Sequence, residues 1–313
     1  MASHQSHQDS TLFVKKTSDQ EPLPSKVAQS TVTHIYQANI GRSWRNVSML
    51  WCKTLMSHTL HLTIDSTIGS KLHYTCKIDV KPWNFWSRKG YKSLDVDGHE
   101  IEVYWDFRSA KFYGGSPEPT SDYYVAAVFE DEVPLFVGDN KKKAYKRTKS
   151  KPAQIEAMQV VKKENVFAKK TFITRARFDE KMAAATRDSE IIVESITSSG
   201  ASEPEMSIFI EGVKLIHVKN LQWKFRGNET VMMNKEKSIQ VFWDVHDWLF
   251  SGSDQSGGSG PGVFIFKPGH AEAEESETSD REGCDNEDGN SSVYYSTRNT
   301  SEFCLVLCAY KLD

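Results

Sequence analysis

The residues best suited to chemistry lie between positions 243 and 250. Trp243, Asp244, His246 and Trp248 combine a carboxylate, an imidazole and two indoles in a short stretch, and such groups can act as acid, base and stacking surface. The same residues also suit a structural role, because indoles bury large areas and an Asp at a strand end commonly caps the next turn. We favour the structural interpretation and keep an enzyme using Asp244 and His246 as an alternative.

Other catalytic and ligand-binding motifs are absent from the sequence. There is no nucleophile elbow, no Gly-rich phosphate loop and no His-Glu-x-x-His helix. His58 and His61 would point to opposite faces of a strand, and Cys304 and Cys308 would lie ~13 Å apart on one face, so neither pair predicts a shared metal ion. We therefore predict no cofactor, no metal site and no enzymatic activity.

Two matched segments indicate an internal duplication. Residues 101–106 read Ile-Glu-Val-Tyr-Trp-Asp, and residues 239–244 read Ile-Gln-Val-Phe-Trp-Asp. Each follows a Trp-x-Phe segment, an Arg and a Gly, in the same order. Strand alternation turns each Trp toward the core and each Asp to the opposite face. Arg108 stands where the second copy has His246, so a catalytic pair would belong to that copy alone.

Alternation of apolar and polar residues predicts strands through most of the chain. The clearest strand covers residues 72–80, and the closing strand, residues 303–312, is apolar on both faces, so we place it centrally and covered on both sides. Only short helices are predicted, at residues 152–161 and 179–188, and the second segment could equally be a long hairpin connection. The predicted fold class is all-β, with two pseudo-repeated antiparallel units of the sandwich or open-barrel type. Further strands are predicted at residues 32–38, 47–55, 60–64, 101–107, 123–129, 171–178, 191–196, 206–210, 213–225, 239–245 and 263–266.

Composition divides the chain into four parts. Residues 1–29 lack periodicity and are predicted to be a flexible arm. A first β unit at residues 30–138 and a second at residues 164–313 are joined by a basic linker at residues 139–163. An acidic loop at residues 268–292 within the second unit is predicted to be disordered, because its nine acidic side chains repel one another and few apolar groups accompany them.

Charge and cysteine content bear on partners and compartment. The net charge of −3 gives no overall basic field, so nucleic acid is not an expected partner. A minor alternative is a stacking surface for a single strand formed by Trp83, Phe85 and Trp86 beside Arg88 and Lys89, although such aromatics more often belong to a core. Five cysteines at irregular spacing fit reduced thiols, and no segment has the length of a signal peptide core or a transmembrane span. We predict a cytoplasmic protein. The basic run at residues 141–151 is interpreted as a solvated linker, with a nuclear-import signal, and hence a nuclear fraction, or a nucleic-acid patch as the alternatives.

Several long strings of residues resemble a plant-specific family known as domain of unknown function 868. The strings occupy residues 32–37, 50–52, 77–83, 115–119, 163–167, 223–228, 242–250 and 305–312. The resemblance spans nearly the whole folded chain. It implies a plant source and brings no reaction, ligand or catalytic residue with it.

The leading hypothesis for function is a non-enzymatic binding or scaffold protein. It follows from the missing catalytic motifs and from repeated aromatic strands suited to a concave surface. A carrier of a small apolar ligand in a calycin-like β unit is the alternative, and an unidentified protein is the other expected partner. The candidate binding residues are Trp223, Arg226, Trp243, Asp244, His246 and Trp248.

Overall fold

The structure is a computed structural model that describes ten stretches of the chain: residues 30–69, 72–82, 84–113, 116–168, 170–178, 188–196, 203–234, 237–250, 260–269 and 302–311. The chain divides into two compact units, residues 1–159 and 160–313, called unit 1 and unit 2 below. Each unit contains two layers of strands and its own core.

Unit 1 begins with a four-stranded antiparallel sheet in which each strand pairs with the next along the chain. A second sheet follows, with four antiparallel strands and a short fifth strand parallel to the fourth. A helix lies between its last two strands. In chain order the elements are β1 (Ser30–Ile40), β2 (Ser43–Lys53), β3 (His58–Asp65), β4 (His73–Asp79), β5 (Lys89–Val96), β6 (His99–Asp106), β7 (Tyr124–Phe129), β8 (Glu132–Gly138), α1 (Lys141–Thr148) and β9 (Lys151–Pro152).

The core of unit 1 lies between these two sheets. Alternate residues of β2 and β3 enter it from the first sheet, including Trp51 and Leu62, while Val103, Trp105 and Val125 enter from the second. This is the inward face that the alternation predicts. A smaller cluster lies on the outer face of β7 and β8, beneath α1.

A buried ion pair connects the two sheets of unit 1. Arg45 on β2 donates from Nη1 to Asp97, which occupies the turn between β5 and β6, at 2.6 Å, and both side chains are 3% exposed. Asp97 also accepts hydrogen bonds from Ser66, Thr67 and Tyr74. Burial acts to raise the pKa of Asp97, but these hydrogen bonds outweigh it and hold the pKa well below its ordinary value.

Unit 2 has the same two-sheet arrangement. One sheet holds β11 to β14, each antiparallel to the next. The other holds β15 to β18 in antiparallel order, with β10 parallel to β18. The elements are β10 (Met158–Ala168), β11 (Thr171–Ala176), β12 (Ser189–Ile196), β13 (Glu205–Ile210), β14 (Val213–Val218), β15 (Arg226–Met232), β16 (Ser238–Asp244), α2 (His246–Phe250), β17 (Gly262–Gly269) and β18 (Cys304–Lys311).

Large side chains fill the core of unit 2. Trp248 is 1% exposed and packs edge to face against Phe172 and Phe264, whose ring centres lie 6.1 and 6.3 Å away. Leu305 and Leu307 of the closing strand are fully buried beside them. Both sheets of the unit contribute to this one cluster.

The predicted all-β class is confirmed, and neither unit closes into a barrel over the described residues. The strand predictions miss β5, β8, β9, β10 and β15, and the strand predicted over residues 213–225 ends at Val218. The helix predicted at residues 152–161 is wrong, since β10 begins at Met158. Lys162 and Glu164 occupy inward positions of β10 and form a 2.8 Å ion pair there, which conceals its alternation in the sequence.

The closing strand β18 lies between β17 and β10, the predicted central position. Its outer face is only partly covered, however, because Cys304, Val306 and Tyr310 remain partly exposed. Within the stretch assigned to the basic linker, residues 141–148 form α1 and residues 158–163 belong to β10. The predicted N-terminal arm, the acidic loop from residue 270 onward, and residues 179–187 of the segment predicted at 179–188 lie outside the described residues.

No helix in the described part of the chain has the length and apolar character needed to cross a membrane.

Candidate binding surfaces

The second Trp-Asp strand, β16, is built as its alternation predicts. Trp243 faces inward, is 7% exposed, and donates its indole N–H to the backbone carbonyl of Lys224 at 3.1 Å. Gly227 is its partner on β15, and a Cβ at that position would lie 2.4 Å from Cζ2 of the indole. A glycine is therefore needed for the ring to lie against the neighbouring strand.

Asp244 ends β16 on the opposite face. Arg226 donates from Nε and Nη2 to its carboxylate at 2.8 and 2.6 Å. The arginine side chain is 72% exposed and the aspartate 37%, so the pair contributes little to stability, ~0 to 1 kcal/mol. Asp244 also accepts the backbone N–H of His246 at 3.4 Å, which is the turn-capping contact expected from the sequence.

The side chains of Asp244 and His246 bond to different partners. The imidazole of His246 bonds through Nδ1 to Asp247 at 2.9 Å, and the carboxylate of Asp244 bonds to Arg226. Asp244 contacts His246 through the backbone N–H of the histidine and not through its ring. Over the described ranges, no group of three or more His, Cys, Asp or Glu side chains converges as metal ligands would.

The remaining candidate binding residues of unit 2 lie in different environments. Trp248 belongs to the core described above, and its indole N–H has no hydrogen-bond partner among the described residues. Trp223 is 81% exposed in the turn before β15. The six candidates therefore divide into two buried tryptophans and four residues at the surface.

A shallow concavity of about 310 Å³ lies on the outer face of β15 to β17. Phe242, Val263 and Ile265 form its apolar part, and all three are partly exposed. Arg226 and Asp244 border it. Val306 continues the apolar strip onto β18, where it pairs with Ile265. We call this strip, Phe242, Val263, Ile265 and Val306, the open face of unit 2.

The first Trp-Asp strand, β6, repeats the inward half of this arrangement. Trp105 is 7% exposed and pairs with Gly90 of β5, where a Cβ would lie 2.8 Å from Cζ2 of the ring. On the outer side, Arg108 donates from Nε and Nη2 to Asp106 at 3.0 and 2.7 Å. Burial acts to raise the pKa of Asp106, but the bonds from Arg108 prevail and lower it.

The outer face of unit 1 is covered by α1, which packs on β6 and β7. Ala144 of the helix and Ala126 of β7 are both fully buried. Tyr145 stacks on Phe136 of β8, with ring centres 6.3 Å apart and an interplanar angle of 20°. The helix thereby buries the same side of the sheet that unit 2 leaves partly exposed.

A second concavity of about 310 Å³ opens between α1 and the end of β6. Lys143, Lys146 and Arg147 line it from the helix, and the remaining lining residues are Lys89, Asp106, Arg108 and Tyr124 from the sheet side. We call it the basic concavity of unit 1. The sequence interpretation missed it because the basic run was assigned to a linker. The available signal was the i, i+3, i+4 spacing of three cations, which places them on one helix face.

The aromatic residues considered for single-strand stacking lie on a 3₁₀ turn before β5. Phe85 and Trp86 are 47% and 77% exposed and pack edge to face at 6.1 Å, and Arg88 lies 5.3 Å from the Phe85 ring centre. Lys89 contributes to the basic concavity instead. Trp83 lies outside the described residues.

Comparison with known proteins gives one family and no individual relative. No curated protein and no solved structure matches the chain. A family model described as plant protein of unknown function matches residues 27–311, which includes both units and both concavities. The chain belongs to this plant family of unknown function, DUF868.

Proposed function

We propose that this chain is a non-enzymatic binding protein, and that the open face of unit 2 binds a helical segment of a partner protein. One observation carries the proposal. The outer face of unit 1 at the corresponding strands is buried by α1, whereas Val263 and Ile265 in unit 2 are partly exposed. A contiguous apolar strip bordered by charged groups is typical of an interaction surface.

The correspondence of the two faces follows from strand register. Asp106 pairs with Tyr124, and Asp244 pairs with Val263. Counting two residues on from Tyr124 and from Val263, Ala126 of β7 corresponds to Ile265 of β17. We infer from this register, and from the paired Gly-Trp contacts, that units 1 and 2 are diverged copies of one β unit.

Unit 1 also indicates what kind of segment fits such a face. Its own cover is an eight-residue helix that contacts the sheet through Ala144 and Tyr145. A small residue lets the helix backbone approach the strands closely, while an aromatic residue packs alongside. The partner segment proposed for unit 2 is therefore an amphipathic helix with small and aromatic residues on its apolar side.

The test is site-specific photo-crosslinking from the open face in plant extract. A photoreactive phenylalanine analogue replaces Ile265 in one variant and Ile173 in the other, since Ile173 is 52% exposed on the other sheet of the same unit. We expect crosslinks from position 265 alone, to a peptide with helical apolar spacing. Equal crosslinking from both positions, crosslinks to extended segments, or crosslinks only to a second copy of this chain would contradict the proposal.

The carrier of a small apolar ligand receives less support. In each unit the space between the sheets holds large, fully buried side chains, such as Trp51 in unit 1 and Phe264 in unit 2. Both concavities described above open outward. Native mass spectrometry of protein from plant tissue separates the hypotheses, because a carrier retains a small molecule of defined mass.

The enzyme hypothesis has its own test. It requires Asp244→Asn to abolish a turnover detected with a metabolite panel while leaving the protein folded. We expect no turnover from the wild-type protein, and a reproducible activity lost in this variant would replace the binding proposal.

A further inference from the structure

The basic concavity of unit 1 has an unbalanced charge. Five of its seven lining side chains are cationic, and Asp106 is the one carboxylate among them. Arg108 already binds that carboxylate through two N–H groups. Asp106 is therefore not available to neutralise the other four cations.

Within the described residues, those four cations contact no carboxylate directly, although Lys89 acts at longer range on Asp106 and Lys143 on Asp122. Lys89, Lys143, Lys146 and Arg147 form no ion pair or hydrogen bond with a carboxylate there, unlike Lys141 of the same helix, which pairs with Glu156 at 2.9 Å. Like charges three and four residues apart on a helix are mutually destabilising. Four cations that repel one another and converge on a concavity are suited to binding an anionic ligand.

Two further donors complete the site. Tyr124 is one of the lining residues although it is only 1% exposed, and its hydroxyl makes no hydrogen bond with the described residues. Burial, followed by the nearby charge of Asp106, raises the pKa of Tyr124, so the hydroxyl stays protonated and able to donate. Arg108 uses Nε and Nη2 for Asp106, which leaves Nη1 for a ligand oxygen.

A pair of stacked aromatic rings stands beside the cations on the same sheet face. Tyr91 lies two residues beyond Lys89 on β5, and Tyr104 lies two residues before Asp106 on β6. The two tyrosines are cross-strand partners, stacked with ring centres 5.3 Å apart. Tyr91 is 54% exposed, so a planar group held over the concavity can stack on it.

We propose that the basic concavity binds the phosphate group of a nucleotide unit, with the base stacked on Tyr91. Multiple cations and the two further donors match the charge and oxygen count of a phosphate ester. The volume of about 310 Å³ can hold a single phosphate and its adjoining sugar, and the cationic lining favours such a group over an apolar ligand. This site is in unit 1 and does not depend on the helix-binding proposal for unit 2.

Calorimetric titration of the full chain tests the phosphate site with two probes, inorganic pyrophosphate and adenosine 5′-monophosphate. The test variant carries Lys143→Gln, Lys146→Gln and Arg147→Gln. The matched control carries Lys142→Gln, Lys149→Gln and Lys151→Gln, which removes the same charge from exposed positions of the same run. We expect the test variant to weaken both probes by at least about 10-fold and the control by less than about 3-fold.

The base-stacking part has a separate variant. Tyr91→Ala should weaken adenosine monophosphate by about 5-fold or more and leave pyrophosphate unchanged. A short oligothymidylate identifies the source of the nucleotide unit. Tighter binding of the oligomer than of the mononucleotide indicates a single strand, and the reverse indicates a free nucleotide.

Three outcomes would overturn the inference. Absence of binding for both probes at millimolar concentration removes the site altogether. Equal losses in the test and control variants would show that only net charge matters. An equal loss of affinity for both probes in the Tyr91→Ala variant would contradict base stacking and leave only unspecific anion binding. Circular dichroism of each variant establishes that it is folded.

Discussion

Units 1 and 2 carry the same Trp-Asp strand but differ on the outer side of it. In unit 1, Asp106 pairs with Tyr124, and Ala126, two residues after Tyr124, is fully buried beneath α1. In unit 2, Asp244 pairs with Val263, and Ile265, two residues after Val263, is partly exposed. The inner sides agree closely, with each Trp 7% exposed and each packed against a glycine.

This difference shows that one short helix determines which residues of the outer face are exposed. In unit 1 the outer face of β7 is buried under α1, and the cations of the helix form a concavity with Asp106 and Lys89. In unit 2 the described residues place no helix over the open face, whose residues are partly exposed. A shared inner packing arrangement is therefore compatible with two different surface chemistries.

The units also differ in how their two sheets are connected. In unit 1 the buried pair of Arg45 and Asp97 links β2 to the β5–β6 turn. In unit 2 the buried pair of Lys162 and Glu164 lies within β10, and Lys162 donates to the carbonyl of Arg175 on β11. We expect unit 1 to be the more acid-sensitive unit, because its connection depends on one ionised carboxylate.

The largest expected effect comes from the two buried indoles. Trp105→Ala and Trp243→Ala should each cost ~3 to 5 kcal/mol, since each removes a large buried ring and leaves a cavity. The Trp243 substitution should cost up to ~1 kcal/mol more, because the Trp243 N–H is hydrogen bonded, whereas the Trp105 N–H has no partner in the described part of the chain. Urea unfolding measures both. A cost below ~1 kcal/mol for either would break the proposed equivalence of the units.

Removing the inter-sheet ion pair should have the next largest effect. Asp97→Asn leaves the buried charge of Arg45 without its partner and should destabilise unit 1 by about 3 kcal/mol. Because the folded-state pKa of Asp97 lies below the unfolded value of ~3.9, its contribution is fully present above that pH and is lost as the pH falls further.

Urea unfolding at several pH values measures this contribution. The wild-type protein should lose stability below about pH 4, and Asp97→Asn should flatten that dependence relative to Asp79→Asn, an exposed control on β4. Parallel pH profiles for the two variants would contradict the assigned role of Asp97.

The glycines beside the indoles should have an intermediate effect. Gly227→Ala and Gly90→Ala introduce Cβ atoms 2.4 and 2.8 Å from their tryptophan rings, so each should cost ~1 to 3 kcal/mol, with Gly227 the more severe. Gly69→Ala is the control, since no atom lies within 4 Å of its added Cβ. Thermal melting compares the three. Tolerance at either strand glycine would show that the ring can move and that the contact is not tightly packed.

The smallest effect on stability is expected from the start of α1. Changing Lys141, Lys142 and Lys143 to Gln should alter the free energy of unfolding by no more than ~0.5 kcal/mol, because exposed charges contribute little. If the basic run is also a nuclear-import signal, the nuclear fraction of a fluorescent fusion should fall. An unchanged nuclear fraction would eliminate the import hypothesis, and a large loss of stability would show that these lysines anchor the helix.

The sequence alone determined the elements in which local alternation is clear. It predicted that Trp105 and Trp243 face inward, and that Asp244 caps the turn after its strand. Both follow from the two-residue period of a strand and from the reach of a carboxylate to nearby amides. They are local properties, so they can be derived from neighbouring residues.

Only the tertiary structure decided the features that depend on distant partners. Lys162 and Glu164 have charged side chains, which the sequence alone assigns to the solvent-facing side of a strand. Both are buried in the structure, because the two side chains form an ion pair with each other. Lys89 and Lys146 are 57 residues apart in the sequence, and they line one concavity because β5 pairs with β6 and α1 packs on β6 and β7. The energy of a charge depends on which groups surround it in space, and strand pairing sets those groups.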